Sequence, residues 1–175
     1  MSLWVFGYGS LLWNPGFDVA ESQIATLPGY ARSFCMLSIH HRGTEEAPGL
    51  VLALDEAPGH SCVGVALRAK PGTEAATLDY LRERELISSA YYEATHPATL
   101  TDGRTVETLC YIVDRSHRQY CHFALEEQAQ IIARAVGGRG PNTEYLHNTA
   151  AHLSELGIED ADLTWLSQRV AALSA

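Results

Sequence analysis

Two stretches of this chain carry residue types that chemistry can use. The first is Gly7-Tyr8-Gly9-Ser10, two glycines around an aromatic with a hydroxyl behind them, placed directly after an apolar run. Glycine tolerates positive φ and lets a ligand approach bare backbone. A strand feeding this turn can aim several N–H groups into one small concavity, suited to a carboxylate or a developing oxyanion. A tight turn between two core segments is the alternative, and the local sequence leaves both readings open. The second stretch holds Glu85. On a helix opened by Pro71-Gly72-Thr73, the residues Ala75, Leu78 and Leu81 form an apolar stripe at 100° per residue. Glu85 follows Leu78 by one heptad, a displacement of only about 20° around the axis, so it points with the leucines. Glu83 turns to solvent, and Asp79 and Arg84 lie off the stripe. A carboxylate on an apolar face needs a partner or a raised pKa. A salt bridge or a frayed helix end is one account of Glu85, and a general base in a dry pocket is the other.

Further polar groups divide between structural and binding roles. Arg42 could neutralise a ligand carboxylate or form a structural ion pair, and Arg139 has the same two readings. Tyr8, Tyr91 and Tyr145 suit either core packing or the lining of a pocket. Ser10 lacks the G-x-S-x-G setting of a serine nucleophile. The eight histidines include His40-His41, and His147 with His152, but no H-E-x-x-H, so no metal is expected.

The chain has 175 residues and a formal net charge of -9, with 12 Lys+Arg against 21 Asp+Glu. That balance argues against a nucleic-acid binder and against an anionic membrane surface. No stretch approaches the ~20 apolar residues of a membrane span. The N-terminal apolar run has no basic flank and is broken by glycines, unlike a signal peptide. Cys35, Cys62, Cys110 and Cys121 are widely spaced without C-x-x-C, which suits a reduced cytoplasmic compartment.

The elements that must position these residues follow from pattern and turn chemistry. Residues 3–6 read as a strand buried on both faces. Residues 23–27 and 31–39 read as strands around Pro28-Gly29, and 49–54 and 62–67 as strands around Ala57-Pro58-Gly59. A helix over 73–86 follows, with Thr73 as N-cap. Strands resume at 91–100 and 106–113 around Thr101-Asp102-Gly103-Arg104, a hairpin signal. Helices are expected over 125–136, 141–156 and 160–173, with Pro141 at a first helical position. The expectation is a single α+β domain spanning 1–175.

Five blocks in this order resemble the ChaC-type γ-glutamylcyclotransferases, which act on glutathione. Val5-Phe6-Gly7-Tyr8-Gly9-Ser10-Leu11-Leu12-Trp13 is similar to the family's opening signature, and Gly29-Tyr30-Ala31-Arg32-Ser33-Phe34 to its second block. His41-Arg42-Gly43-Thr44 with Pro48-Gly49 resembles its histidine-arginine-glycine loop. Tyr80-Leu81 with Arg84-Glu85 matches the position of its catalytic glutamate, and Asn142-Thr143-Glu144-Tyr145-Leu146 closes the pattern. The resemblance implies a γ-glutamylcyclotransferase-like curved mixed sheet or small β-barrel, with flanking helices and a helical C-terminal part. It implies Glu85 as the acid/base, with Val5, Phe6, Gly7, Tyr8, Gly9, Ser10, Leu11, Arg42, Tyr91 and Tyr145 around glutathione, and no cofactor or metal. The family's reaction is intramolecular: the α-amine of a γ-glutamyl group attacks its own γ-carbonyl, giving 5-oxoproline and releasing Cys-Gly. Two departures stand out. The run after the glutamate is Leu86-Ile87-Ser88-Ser89-Ala90-Tyr91, and Ala76 occupies a position where family members can carry a second acid. A cyclotransferase for other γ-glutamyl amines or amino acids, and a non-catalytic γ-glutamyl-binding module, are the competing functions.

Overall fold

The computed structural model describes residues 2–86 and 89–174, so the departure at Ile87-Ser88 lies outside the described residues. Five strands close into a barrel: β1 (Trp4–Gly7), β2 (Val19–Ser38), β3 (Gly49–Ala69), β4 (Tyr91–Leu100) and β5 (Thr105–Val113), in the order β1-β3-β2-β4-β5. β1 runs antiparallel to β3, with Phe6 opposite Ala66, and parallel to β5, with Val5 opposite Leu109. Closure removes the exposed strand edges that an open sheet would leave. It also explains why residues 4–7 are all buried, as a strand paired on both sides requires.

The long strands correct the expected segmentation. Pro28-Gly29 and Ala57-Pro58-Gly59 do not end strands; they lie inside β2 and β3, which run 20 and 21 residues. Gly29 (φ 85°) and Gly59 (φ 83°) supply left-handed residues within continuous strands. The hairpin at residues 101–104 forms as expected, with Gly103 at φ 93° donating its N–H to the Leu100 carbonyl.

The described chain divides into two compact units. The first, residues 1–33 and 53–117, holds the β1–β3, β1–β5, β2–β4 and β4–β5 pairings and helix α1 (Glu74–Glu85). Its core includes Val5, Phe6, Leu27, Leu54, Leu81 and Ile112, each 1% exposed or less. The second, residues 34–52 and 118–175, holds helices α2 (Leu125–Arg134), α3 (Asn142–Glu155) and α4 (Ala161–Ser174), packed on one another. Leu146, Leu163, Leu166 and Val170 form its interior. Two short strands, β6 (Val136–Gly137) and β7 (Gly140–Pro141), pair as a ribbon between α2 and α3. Among the described residues no helix is long and apolar enough to cross a membrane. All four cysteines are buried thiols, none in a disulfide.

Candidate active site

In the first unit the chain leaves β1 at Gly7 and turns into a single 3-10 turn, Ser10–Leu12. Neither Gly7 nor Gly9 takes a positive φ, so the expected reason for these glycines is corrected. At Gly7 the reason is close approach: an added Cβ would stand 3.2 Å from the Leu11 Cβ, tighter than ordinary contact. The turn consumes the N–H groups of Leu12, Trp13 and Asn14 on the carbonyls of Gly9 and Ser10. Among the described residues, the N–H groups of Gly9, Ser10 and Leu11 meet no acceptor. These three donors are the start of a helical turn, where unsatisfied N–H groups attract negative charge. Val5 and Phe6 place their side chains in the core, and Tyr8 and Leu11 are also buried.

The turn is braced from β2. Arg32, itself buried, donates from Nε to the Tyr8 carbonyl at 2.6 Å and from Nη2 to the Val63 carbonyl at 2.7 Å. Sequence reading missed this role, although a lone arginine in the Tyr30–Phe34 run was its visible signal.

α1 carries Glu85 at its last residue, and the inward face differs from the expected stripe. Ala75 is exposed; Thr77 and Leu81 are buried and Leu78 is half-buried. Steps of four from Thr77 through Leu81 reach Glu85, whose side chain is only 15% exposed. Glu83 faces solvent as expected. Two arginines fix the helix end. Arg82 holds Glu93 on β4 through paired 3.0 Å bonds, and Tyr111 on β5 donates its hydroxyl to the same carboxylate at 3.0 Å. Arg84 reaches the turn after β1, donating from Nη2 to Ser10 Oγ at 2.9 Å and from Nη1 to the Asn14 carbonyl at 2.7 Å. Its Nε lies 3.6 Å from Glu85 Oε1.

This setting moves the Glu85 carboxyl upward from its ordinary value, because burial disfavours the charged form; the neighbouring Arg84 cation opposes the shift. Burial likewise pushes the Tyr111 phenol up, aided by its bond to Glu93 and by the Glu85 charge. The sense of the Glu85 shift is the one a general base needs, since it narrows the gap to an amine's pKa. Ser10 accepts a bond from Arg84 and thereby secures the turn. Tyr91 heads β4, half-buried, opposite Val113.

Arg42 and Tyr145 belong to the second unit. Arg42 is 7% exposed; its Nη1 donates to the Pro141 carbonyl and to Glu144 Oε1, both at 3.1 Å, and its guanidinium lies 5.7 Å from the Tyr145 ring centre. Arg42 thus forms an ion pair with Glu144 through Nη1. The Tyr145 hydroxyl accepts the Leu52 N–H at 3.1 Å, and its ring meets Phe34 edge-on at 6.0 Å. Arg139 is exposed in the ribbon loop. Among the described residues, no group of three or more His, Cys, Asp or Glu side chains is placed to hold a metal ion.

The profile of the ChaC-like protein family matches residues 3–173. The glutathione-specific gamma-glutamylcyclotransferase of Escherichia coli (strain K12) is 38% identical over 174 residues, covering 99% of this chain and 74% of its own length. Gamma-glutamylcyclotransferase 2-3 of Arabidopsis thaliana is 34% identical over 177 residues, covering 97% of this chain and 89% of its own. The crystal structure of a glutathione-specific gamma-glutamyl cyclotransferase from yeast superposes with a TM-score of 0.87 over 100% of both chains, and at 23% identity that likeness carries the fold. The chain belongs to the ChaC-like protein family.

Proposed function

We propose that this chain is a glutathione-specific γ-glutamylcyclotransferase that converts glutathione to 5-oxoproline and Cys-Gly, with Glu85 as acid and base. The observation that carries the reading is the Glu85 carboxylate itself, shielded from water at the end of α1 and linked through Arg84 to the Ser10 turn. Its family membership and the names of its relatives support the substrate.

The steps follow from the groups present. The substrate's α-ammonium, with a pKa of about 8 or somewhat higher, must lose a proton before its nitrogen can attack. Glu85 takes that proton. The nitrogen then bonds to the γ-carbonyl carbon, whose oxygen gains negative charge. The N–H groups of Gly9, Ser10 and Leu11 are the donors offered to an oxyanion or to the α-carboxylate, and one such donor is typically worth ~10²–10³ in rate. Collapse breaks the γ-amide bond as Glu85 returns its proton to the departing amine of Cys-Gly. The second proton on the attacking nitrogen then passes by way of Glu85 to that amine, leaving a neutral lactam and the Cys-Gly ammonium. The nucleophile belongs to the substrate, so the scheme calls on no protein nucleophile and no cofactor. Bending the γ-glutamyl chain into a five-membered closure is an orientation task; in this reading the Val5–Leu11 segment and Tyr91 hold the substrate, with Val5 and Phe6 backing that segment from the core. The Arg42 Nη1 pairs with Glu144 and the Tyr145 hydroxyl accepts the Leu52 N–H, so both also brace the second unit. A cytoplasmic setting suits the four buried thiols.

Incubation with glutathione in the presence of a chelator tests the reading. Equimolar 5-oxoproline and Cys-Gly are expected, with slower release from γ-glutamyl-alanine under matched conditions. Faster turnover of γ-glutamyl-alanine would transfer the substrate to other γ-glutamyl amines. Calorimetric binding of glutathione with no product over hours would make the chain a binding module.

A further inference from the structure

The proposed chemistry needs the Glu85 carboxylate at a constant station relative to the turn that follows β1. The neighbouring side chain is shaped to set it. Arg84 is a helix residue, yet three of the four hydrogen bonds of its guanidinium go to the turn after β1. Nη1 donates to the carbonyls of Asn14 at 2.7 Å and Pro15 at 3.1 Å, and to the Tyr80 hydroxyl at 3.2 Å. Nη2 donates to Ser10 Oγ at 2.9 Å, and Nε stands 3.6 Å from Glu85 Oε1. All three nitrogens of one planar group are thus committed, and the side chain is 19% exposed. A solvent-exposed ion pair of this length would be worth little. Four hydrogen bonds on a rigid fork are another matter, because the fork transmits position as well as charge. Arg82 shows the contrast: its fork goes wholly to Glu93 on β4, which anchors the helix but does not touch the turn.

We infer that Arg84 is a positioning residue for the reaction: its guanidinium locks the Ser10–Pro15 turn to the end of α1, fixing where the Glu85 carboxylate stands. The kinetic part of this inference rests on the proposed function; the geometric part does not. Two demands meet in one side chain. The base must be desolvated to gain strength, and it must not be so strongly neutralised that it stays protonated at working pH. A cation beside it, tethered at a distance longer than a hydrogen bond, satisfies both. Lysine would keep the charge but lose the fork, since an ammonium is a single point donor. Alanine would lose both.

Comparing Arg84→Lys and Arg84→Ala with wild type separates these contributions. For Arg84→Lys, kcat on glutathione is expected to fall roughly 10- to 100-fold, with the acid limb of the pH profile unmoved. For Arg84→Ala, a similar or larger loss is expected, and the acid limb moves to higher pH because the cation that favoured the carboxylate is gone. Wild-type turnover by folded Arg84→Lys, or losses confined to thermal stability in both variants, would overturn the inference. Carbon-13 NMR titration of the Glu85 carboxyl keeps the test independent of turnover. Should wild type release no 5-oxoproline, the proposed function fails. The Arg84–Glu85 coupling is then read directly, as an upward shift in Arg84→Ala that Arg84→Lys lacks. No shift in either variant would contradict it.

Discussion

Replacing Glu85 by glutamine is expected to lower 5-oxoproline release from glutathione by roughly 10²–10⁴, the usual contribution of a positioned general acid/base. The substitution keeps the side-chain volume and one acceptor, so the barrel and α1 should persist, as circular dichroism can check. The amide cannot take a proton from the substrate's ammonium or hand one to the departing amine. Stability supplies an internal control with a defined sign. Burial holds the Glu85 carboxyl above its ordinary value, so the folded chain binds that proton more tightly than the unfolded chain. Stability therefore declines as pH rises from the unfolded pKa through the folded one, and the penalty is complete above the latter. Glutamine carries no such penalty. Glu85→Gln should match wild type in Tm near about pH 4 and exceed it near about pH 8, the reference carboxyl lying near 4.3. A variant equal to wild type in both activity and pH-dependent Tm would place Glu85 outside the chemistry and in water.

Asn142→Ala is expected to cost roughly 2–6 kcal/mol of stability, from two buried backbone groups at about 1–3 kcal/mol each. Asn142 is fully buried at the start of α3. Its Oδ1 accepts the Leu50 N–H at 2.8 Å, and its Nδ2 donates to the Leu50 carbonyl at 2.8 Å. The side-chain amide thus copies the pairing of a neighbouring strand at one residue of β3. Alanine leaves both Leu50 groups without that partner in the interior. Aspartate would restore the acceptor but not the donor, and would bury a charge, so it should not rescue. Urea unfolding reads the effect as a lower midpoint with an unchanged slope. An Asn142→Ala loss below about 1 kcal/mol would mean that water or a local shift takes over the two bonds.

These two residues show what the sequence discloses and what it hides. Glu85 was visible because period and polarity conflict: an acid fell on a face otherwise apolar. Even so, periodicity places the first member of that face wrongly, since Ala75 is exposed and Thr77 is buried. Small and weakly polar residues carry little periodic signal at a helix start. β4 and the hairpin after it were legible because their turn chemistry is local, with Gly103 supplying the positive φ. Pro28-Gly29 and Pro58-Gly59 present the same local chemistry but sit inside strands that bend without ending. Only the pairing partners decide between a turn and a bend. Asn142 belonged to a recognisable block, yet its partner lies 92 residues away. Arg32 and Arg84 reach the β1 turn across 24 and 74 residues. No pattern of period or spacing encodes such contacts. The same is true of barrel closure, where β1 pairs in parallel with β5.

The central claim is that the bound peptide supplies its own attacking nitrogen while Glu85 carries the proton. Mass analysis of the products formed from glutathione in ¹⁸O-enriched water tests it most directly. The account predicts unlabelled 5-oxoproline, because no water enters the γ-carbonyl. Glutamate bearing ¹⁸O in its side-chain carboxyl would reveal water as the attacking group and contradict the mechanism.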